Sequence, residues 1–511
     1  MEQQASGTAR RAAQFSGLAA VLACGAGLFS DGYVNAVAGP VNTILKSYLY
    51  KDVPATDKKD LSSMFSSFAF LGTIVGMLTF GYLSDRIGRR FGMLFASIMM
   101  IVMSLVVAIP VGSDFRSVYT WLIVCRAITG IAIGAEYPAG SVAASEGSES
   151  DDVAKGNQQK FFSLATNTAI DFGFVVASFV PMMFLAIFGM ENLNAVWRCT
   201  LAFGALPPMT ILYYRFKIGE SEHYERAAMK SIPWAFVIRK YWVRFFAVSF
   251  SWLLYDFVAY PAGIYSSLFV SEISPDSSLM SDLLVGGILN LFYIPGTLLG
   301  AMFVDKWGPK NSMLFGLGAQ AICGLILSLG ISYLRTNLPL LIFIYGLFLT
   351  FGEWGPGNNL GLLASKAMAP TAVRGVAYGL AAAIGKVGAF IGTYVFTPIQ
   401  ELFPAQSDGY FAAPFYVGTG CAVLAFALVF FLLPPVEVDG LAKMDQEFMA
   451  MCEAEGYDVR ALLKHDEDEE KSTSEDQLTS RVTGRRERNR KSTEKERKKH
   501  KTRPTNVYRI Q

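Results

Sequence analysis

Ionisable side chains stand inside stretches of this chain that are otherwise apolar, and they set the chemistry to be explained. Trp121–Ala144 reads WLIVCRAITGIAIGAEYPAGSVAA and holds Arg126 and Glu136 among Gly130, Gly134, Pro138 and Gly140. Asp31 lies in GLFSDGYVN, Asp171 in an apolar run, Asp256 in SWLLYDFVAYPAG beside Tyr255 and Tyr260, and Lys386 in AAAIGKVGAFIG. A charge at membrane depth is costly unless it faces a partner or a wet cavity. Carboxyls contested between burial and a nearby cation exchange protons, and a buried ammonium demands an anion. Asp31, Arg126, Glu136 and Asp256 are therefore the expected proton-coupling residues. Lys386 is the expected anion-binding residue, served by Asp256, by a substrate phosphate, or by each in turn. Arg126 is expected at the depth of Asp31, with Glu136 about 15 Å further along the same helix. The stretch FGEWGPGNN adds Glu353, Trp354, Asn358 and Asn359, whose amides suit either hydroxyl-rich ligands or helix–helix hydrogen bonds.

The elements that must position these groups are membrane helices. The 511 residues are 52% hydrophobic and only 17% charged, against about 25% charged in soluble chains, and the charges crowd into the C-terminal tail. Segments near 17–45, 61–83, 91–111, 117–144, 160–188, 195–214, 242–271, 282–304, 312–333, 339–365, 373–397 and 411–433 meet the spanning criterion of about 20 apolar residues. The predicted fold is an all-α membrane protein of twelve transmembrane helices in two six-helix halves, 17–214 and 242–433. Around them lie an N-terminus (1–16), a central loop (215–241) and a charged tail (434–511). Arg86, Arg89, Arg90, Lys160, Lys306, Lys310, Lys366 and Arg374 outweigh the cations of the opposite loops, which places both termini in the cytoplasm.

Of the six cysteines, Cys24, Cys125, Cys199, Cys323 and Cys421 lie in apolar runs without paired spacing, and the three histidines lie outside the spans. Neither a disulfide framework, nor a metal site, nor a cofactor motif is expected, and an integral-membrane enzyme would need a nucleophile or metal cluster that is missing. The tail should form a short helix over 439–457. Beyond it runs HDEDEEKSTSEDQ and then the basic blocks RRERNRK and KERKKHK. These suit anionic inner-leaflet lipid rather than nucleic acid. Ser472, Thr473 and Ser474 are candidate phosphorylation sites.

An internal echo supports the division into halves. GYLSDRIGRR at 81–90 and AMFVDKWGPK at 301–310 carry Asp, Gly and a terminal cation at matching places. Repeated halves are a transporter architecture with the site at the midplane. Asp85 can cap or pair at a helix end while Arg86, Arg89 and Arg90 grip helix C-termini, forming a gate on one side.

GYLSDRIGRR resembles the signature loop of the major facilitator superfamily. The Arg126-x9-EYP string, WRCTLAFGALPPMTILYYR at 197–215, ESEHYERA at 220–227, the Asp256 segment and GKVGAFIG together resemble the phosphate:proton symporter family over residues 15–435. Two departures, Glu136 where that family has Asp and EWGPGNN where it has a Pro-Asn-Thr-rich string, resemble its fungal glycerophosphoinositol-permease branch. The resemblance implies proton-driven uptake of glycerophosphodiesters such as glycerophosphoinositol or glycerophosphocholine, by alternating access, at the plasma membrane. The anion would bind near Lys386 with Tyr137, Tyr260, Asn358 and Asn359 as polar contacts. Inorganic phosphate is the alternative substrate, a transporter-derived sensor the alternative role, and a monomer the expected state.

Overall fold

The computed structural model describes residues 17–148, 156–217, 233–273, 278–433 and 440–457. Among them there is no strand. Eleven helices are long and apolar enough to cross a membrane: α2 (Asp60–Arg86), α3 (Arg89–Val107), α4 (Phe115–Ser148), α5 (Gln158–Phe188), α6 (Met190–Lys217), α7 (Trp234–Ile264), α8 (Leu279–Trp307), α9 (Pro309–Leu334), α10 (Leu338–Lys366), α11 (Thr371–Gln400) and α12 (Asp408–Leu432). The first expected span is also helical. This α1 runs over Gly17–Ala36 and continues, after an interruption at Val37, through Ala38–Thr43 and Ile44–Leu49. A last helix, α13 (Gly440–Ala454), occupies the start of the tail. The N-terminal 16 residues, the middle of the central loop and the phosphorylation candidates lie outside the described residues.

The helix ends follow local chemistry. Asp114, Ser278, Asn337 and Ser407 cap α4, α8, α10 and α12 by accepting from backbone N–H groups of the first turn. The Ser117 hydroxyl and N–H hold the exposed Asp114 carboxyl below its usual range. Gly88 and Gly308, at φ 127° and 75°, make the matching turns from α2 to α3 and from α8 to α9, a backbone region that excludes most side chains. The central loop is shorter than expected, because α6 continues to Lys217 and α7 begins at Trp234. Amphipathic ends such as YYRFK and WAFVIRKYW extend both helices past the apolar core.

Within each half the helices close on glycine. A Cβ on Gly32 of α1 would lie 2.0 Å from the Ile170 carbonyl of α5, and one on Gly388 of α11 would lie 2.1 Å from the Leu253 carbonyl of α7. Such close approach is how membrane helices gain contact where lipid supplies no hydrophobic drive. The halves meet mainly along α2 with α11 and α5 with α8. α13 lies across the ends of α7 and α11, with Met444, Phe448 and Cys452 packed on Phe236, Val237, Tyr241 and Val373.

Candidate functional site

Among the described residues four short π-helical turns interrupt the helices: Ile44–Leu49, Tyr137–Ser141, Leu164–Thr168 and Glu353–Gly357. The last three reach the wall of one cavity between the halves, about 690 Å³ in empty volume. Pro138 and Pro356 remove backbone donors in two of these turns, and such widened turns recur where a helix wall must be re-aimed at a ligand. The cavity is lined from α4 (Tyr137, Ser141), α5 (Asn167, Asp171), α7 (Trp252, Tyr255, Asp256, Tyr260), α8 (Tyr293), α10 (Glu353, Asn358) and α11 (Tyr378, Lys386).

Among the described residues Lys386 is its one lining cation. Its Nζ lies 2.8 Å from Asp256 Oδ2 and 2.6 Å from Tyr260 Oη, and it sits 4.0 Å from the centre of the Tyr260 ring. Tyr137 meets Tyr260, Oη to Oη at 3.4 Å, across the boundary between the halves. Gly385 and Gly388 permit this geometry, since a side chain at either would strike Trp252 or the Leu253 carbonyl and push α11 off α7. Asn358 also lines the cavity, but its amide is engaged by Thr297, donating to the carbonyl at 2.8 Å and accepting from the hydroxyl.

Several expected placements are corrected. Arg126 does not meet Asp31. It donates to the carbonyls of Val34 at 2.7 Å and Asn35 at 3.4 Å, where the interrupted α1 presents acceptors, and it stacks over Phe65. Asp31 is fully buried behind the cavity wall, and neither carboxyl oxygen has a hydrogen-bond partner among the described residues. Glu136 is also outside the lining. It forms a bidentate pair with Arg215, which further donates to the Met93 carbonyl and Ser97 hydroxyl at 2.8 Å. Arg215 was expected in the central loop. Its long side chain instead carries the charge back into the bundle, into space left by Gly27, whose Cβ would lie 1.8 Å from the guanidinium. Asn359 faces away from the cavity and donates to the carbonyls of Trp354 and Gly355, mending the π-helical turn. The sequence reading left Asp171 and Glu353 without a firm role, and both line the cavity.

The gate residues divide their work. Asp85 accepts from the N–H groups of Gly375 and Val376 at the start of α11, at 3.1 and 2.7 Å, and pairs with Arg89 at 2.6 Å. Arg89 also reaches Glu146 at 3.3 Å, which lies 3.7 Å from Arg374. Arg90 donates to the Phe216 carbonyl at the end of α6, while Arg86 is exposed over Tyr82. The echo in the second half does the reciprocal job. Asp305 accepts from the N–H groups of Gln159 and Lys160 at the start of α5, at 3.2 and 3.0 Å, and Lys310 holds the Phe430 and Leu433 carbonyls at the end of α12. These ties lie on the side that the lysine and arginine distribution assigns to the cytoplasm, here called inner. On the other side the halves meet through Thr43 with Ser267 at 3.1 Å, Tyr48 with Asp282 at 3.0 Å and Ser178 with Asn290 at 2.8 Å.

The Major Facilitator Superfamily model matches residues 21–393. The chain belongs to that superfamily. Among Major Facilitator Superfamily members it is similar to the glycerophosphocholine permease GIT4 of Candida albicans, 41% identical over 446 residues, covering 86% of this chain and 83% of that protein. It is similar too to the major glycerophosphoinositol permease GIT3 of the same organism, 39% identical over 448 residues with the same coverage. Its fold is that of the proton:xylose symporter XylE bound to 6-bromo-6-deoxy-D-glucose, with a TM-score of 0.71 over 85% of this chain and 99% of that one at 18% identity. The chain is thus a membrane transport protein rather than an enzyme.

Proposed function

We propose that the protein is a proton-coupled importer of glycerophosphodiesters, such as glycerophosphocholine or glycerophosphoinositol, at the plasma membrane, with both termini cytoplasmic. The observation that carries this reading is Lys386, a buried ammonium on the cavity wall held by Asp256. A phosphodiester can take over the ammonium, and Asp256, left buried without its partner, then takes a proton. One anion and one proton thereby enter together. Asp171 and Glu353 reinforce the argument, because a cavity with three carboxyls and one lysine accepts an anion only when protons offset its charge. Tyr137 and Tyr260 are placed to donate to the phosphate, and Asn358 after it gives up Thr297. Asp31 lies behind the wall, where it bears on the field around Lys386 rather than on the ligand, and the Glu136–Arg215 pair bears on Asp31 in turn.

The tyrosines and amides of the lining suit the alcohol groups of a diester as well as its phosphate. The names of the relatives at 39–41% identity support the same class. A cavity with breakable contacts on both sides supports alternating access, and coupling needs a linkage of only about 1–3 kcal/mol. The test is uptake of labelled glycerophosphocholine, glycerophosphoinositol and inorganic phosphate, at acidic and neutral external pH, in cells lacking their own carriers. Diester uptake that rises in acid and is poorly competed by phosphate is the expected result. Uptake of phosphate alone overturns it.

A further inference from the structure

We infer that Asp171 and Glu353 form a second proton site, a carboxyl clasp that joins the two halves while it holds a proton and frees them when it loses it. The inference rests on the proton-coupled reading above and adds a site that the Lys386 exchange does not use.

Asp171 belongs to α5 and Glu353 to α10, one from each half, and both are buried in the cavity wall. A single amide serves them both. Asn167 Nδ2 lies 2.8 Å from Glu353 Oε2 and 3.2 Å from Asp171 Oδ2, and the two carboxyl groups stand within hydrogen-bonding reach of one another. Tyr255 Oη donates to the other Glu353 oxygen at 2.7 Å. No cation pairs with either carboxyl among the described residues, for Lys386 is held by Asp256. Two carboxyls in such contact share a proton, because like charges that close in apolar surroundings do not both ionise. The shared proton is itself the bond between α5 and α10.

The groups around the clasp are few. α7 presents Tyr255 and Asp256, α8 presents Tyr293, and α11 presents Lys386. On α1, Asp31 interacts with Glu136, Arg215 and Lys386 rather than with this pair. Loss of the proton leaves two anions facing each other across the boundary between the halves. Both sides carry ties that must yield: helix caps and charged pairs on the inner side, and on the outer side the contacts of Thr43, Tyr48 and Ser178 together with the attraction of Lys46 for Glu272. The import reading assigns the opening to the outer side, where the proton is taken up, so deprotonation opens the cavity outward and a proton arriving from outside closes it.

The test uses purified full-length protein without substrate, spin-labelled at Val111 and Leu402, exposed outer-loop positions in opposite halves. The wild-type separation is expected to lengthen from acidic to mildly alkaline buffer, whereas D171N/E353Q keeps the short separation in both. A double variant that follows the wild type, or a wild type that ignores pH, overturns the clasp. Should the double variant fail to fold, E353Q alone gives the same reading. In proteoliposomes the proton:diester ratio of E353Q is expected to fall by one, and an unchanged ratio overturns the proposal. If wild-type vesicles carry no diester, the proposed substrate falls, while the spin-label result still decides on the clasp.

Discussion

Lys386 and Arg215 are both buried cations, and their substitutions should fail in different ways. Lys386→Ala removes the anion site and leaves Asp256 to neutralise itself by protonation. Uptake should vanish while the protein still reaches the cell surface, and near-normal uptake in that variant would refute the anion-site assignment. Arg215→Ala instead strands Glu136, 1% exposed, among Gly27, Gly140 and Ser97. Breaking a buried pair from one side costs about 3–5 kcal/mol. The detergent-solubilised variant should aggregate, and adding Glu136→Gln should recover a monodisperse protein; failure to recover would mean that Arg215 acts through its contacts to Met93 and Ser97. The difference in legibility between these two residues is physical. Lys386 and Asp256 are isolated charges in apolar runs, so their depth is readable. Arg215 sits where a helix leaves the membrane, and only the reach of its side chain carries the charge inward. Arg126 shows the converse error, since matching depth says nothing of rotation about the helix axis. Asn358 and Asn359 are neighbours about 100° apart on a helix, so only one faces the cavity.

Elements are placed by glycines and caps. Gly388→Ala should push α11 off α7 and pull Lys386 from Asp256, and uptake should fall sharply at an unchanged surface level. Gly420→Ala, where a Cβ would meet nothing within 4 Å, should be neutral. Equal behaviour of the two would show that the α7–α11 approach is not what holds the site. α13 is fastened at Thr371, whose N–H donates to Asp445 at 2.7 Å, and by Arg239 with Glu455 at 2.7 Å. Loss of such a cap costs about 1 kcal/mol. Asp445→Ala should therefore lower the thermal midpoint in detergent, and an unchanged midpoint would mean that the helix contributes no stability. Twelve helices were legible because length and apolarity suffice for them, and α13, expected over 439–457, because that segment reads as amphipathic. The π-helical turns were not, although Pro138 and Pro356 marked two of them, because a widened turn depends on what the neighbouring helices leave room for.

At the scale of the molecule, the repeated motif was readable as an echo, but its purpose was not. Each half supplies an aspartate to cap a helix of the other, and chain order alone gives no hint of that exchange. Asp85→Ala and Asp305→Ala should each favour the inward-open form, seen as faster alkylation of a cysteine introduced at Ser141 on the cavity wall. Unchanged alkylation in both would remove the inner ties from the gating scheme.

That reciprocal capping has a consequence for how such a carrier adapts. A substrate arriving from outside binds only the fraction of molecules facing it, so apparent affinity is intrinsic affinity scaled by that fraction. Asp85 and Asp305 help to set the fraction from loops remote from the cavity. Substitutions around them would therefore retune the working concentration range for every substrate alike, without altering which substrate is preferred. A lineage moving between scarce and plentiful nutrient could follow the change through its loops, and leave the chemistry of recognition untouched.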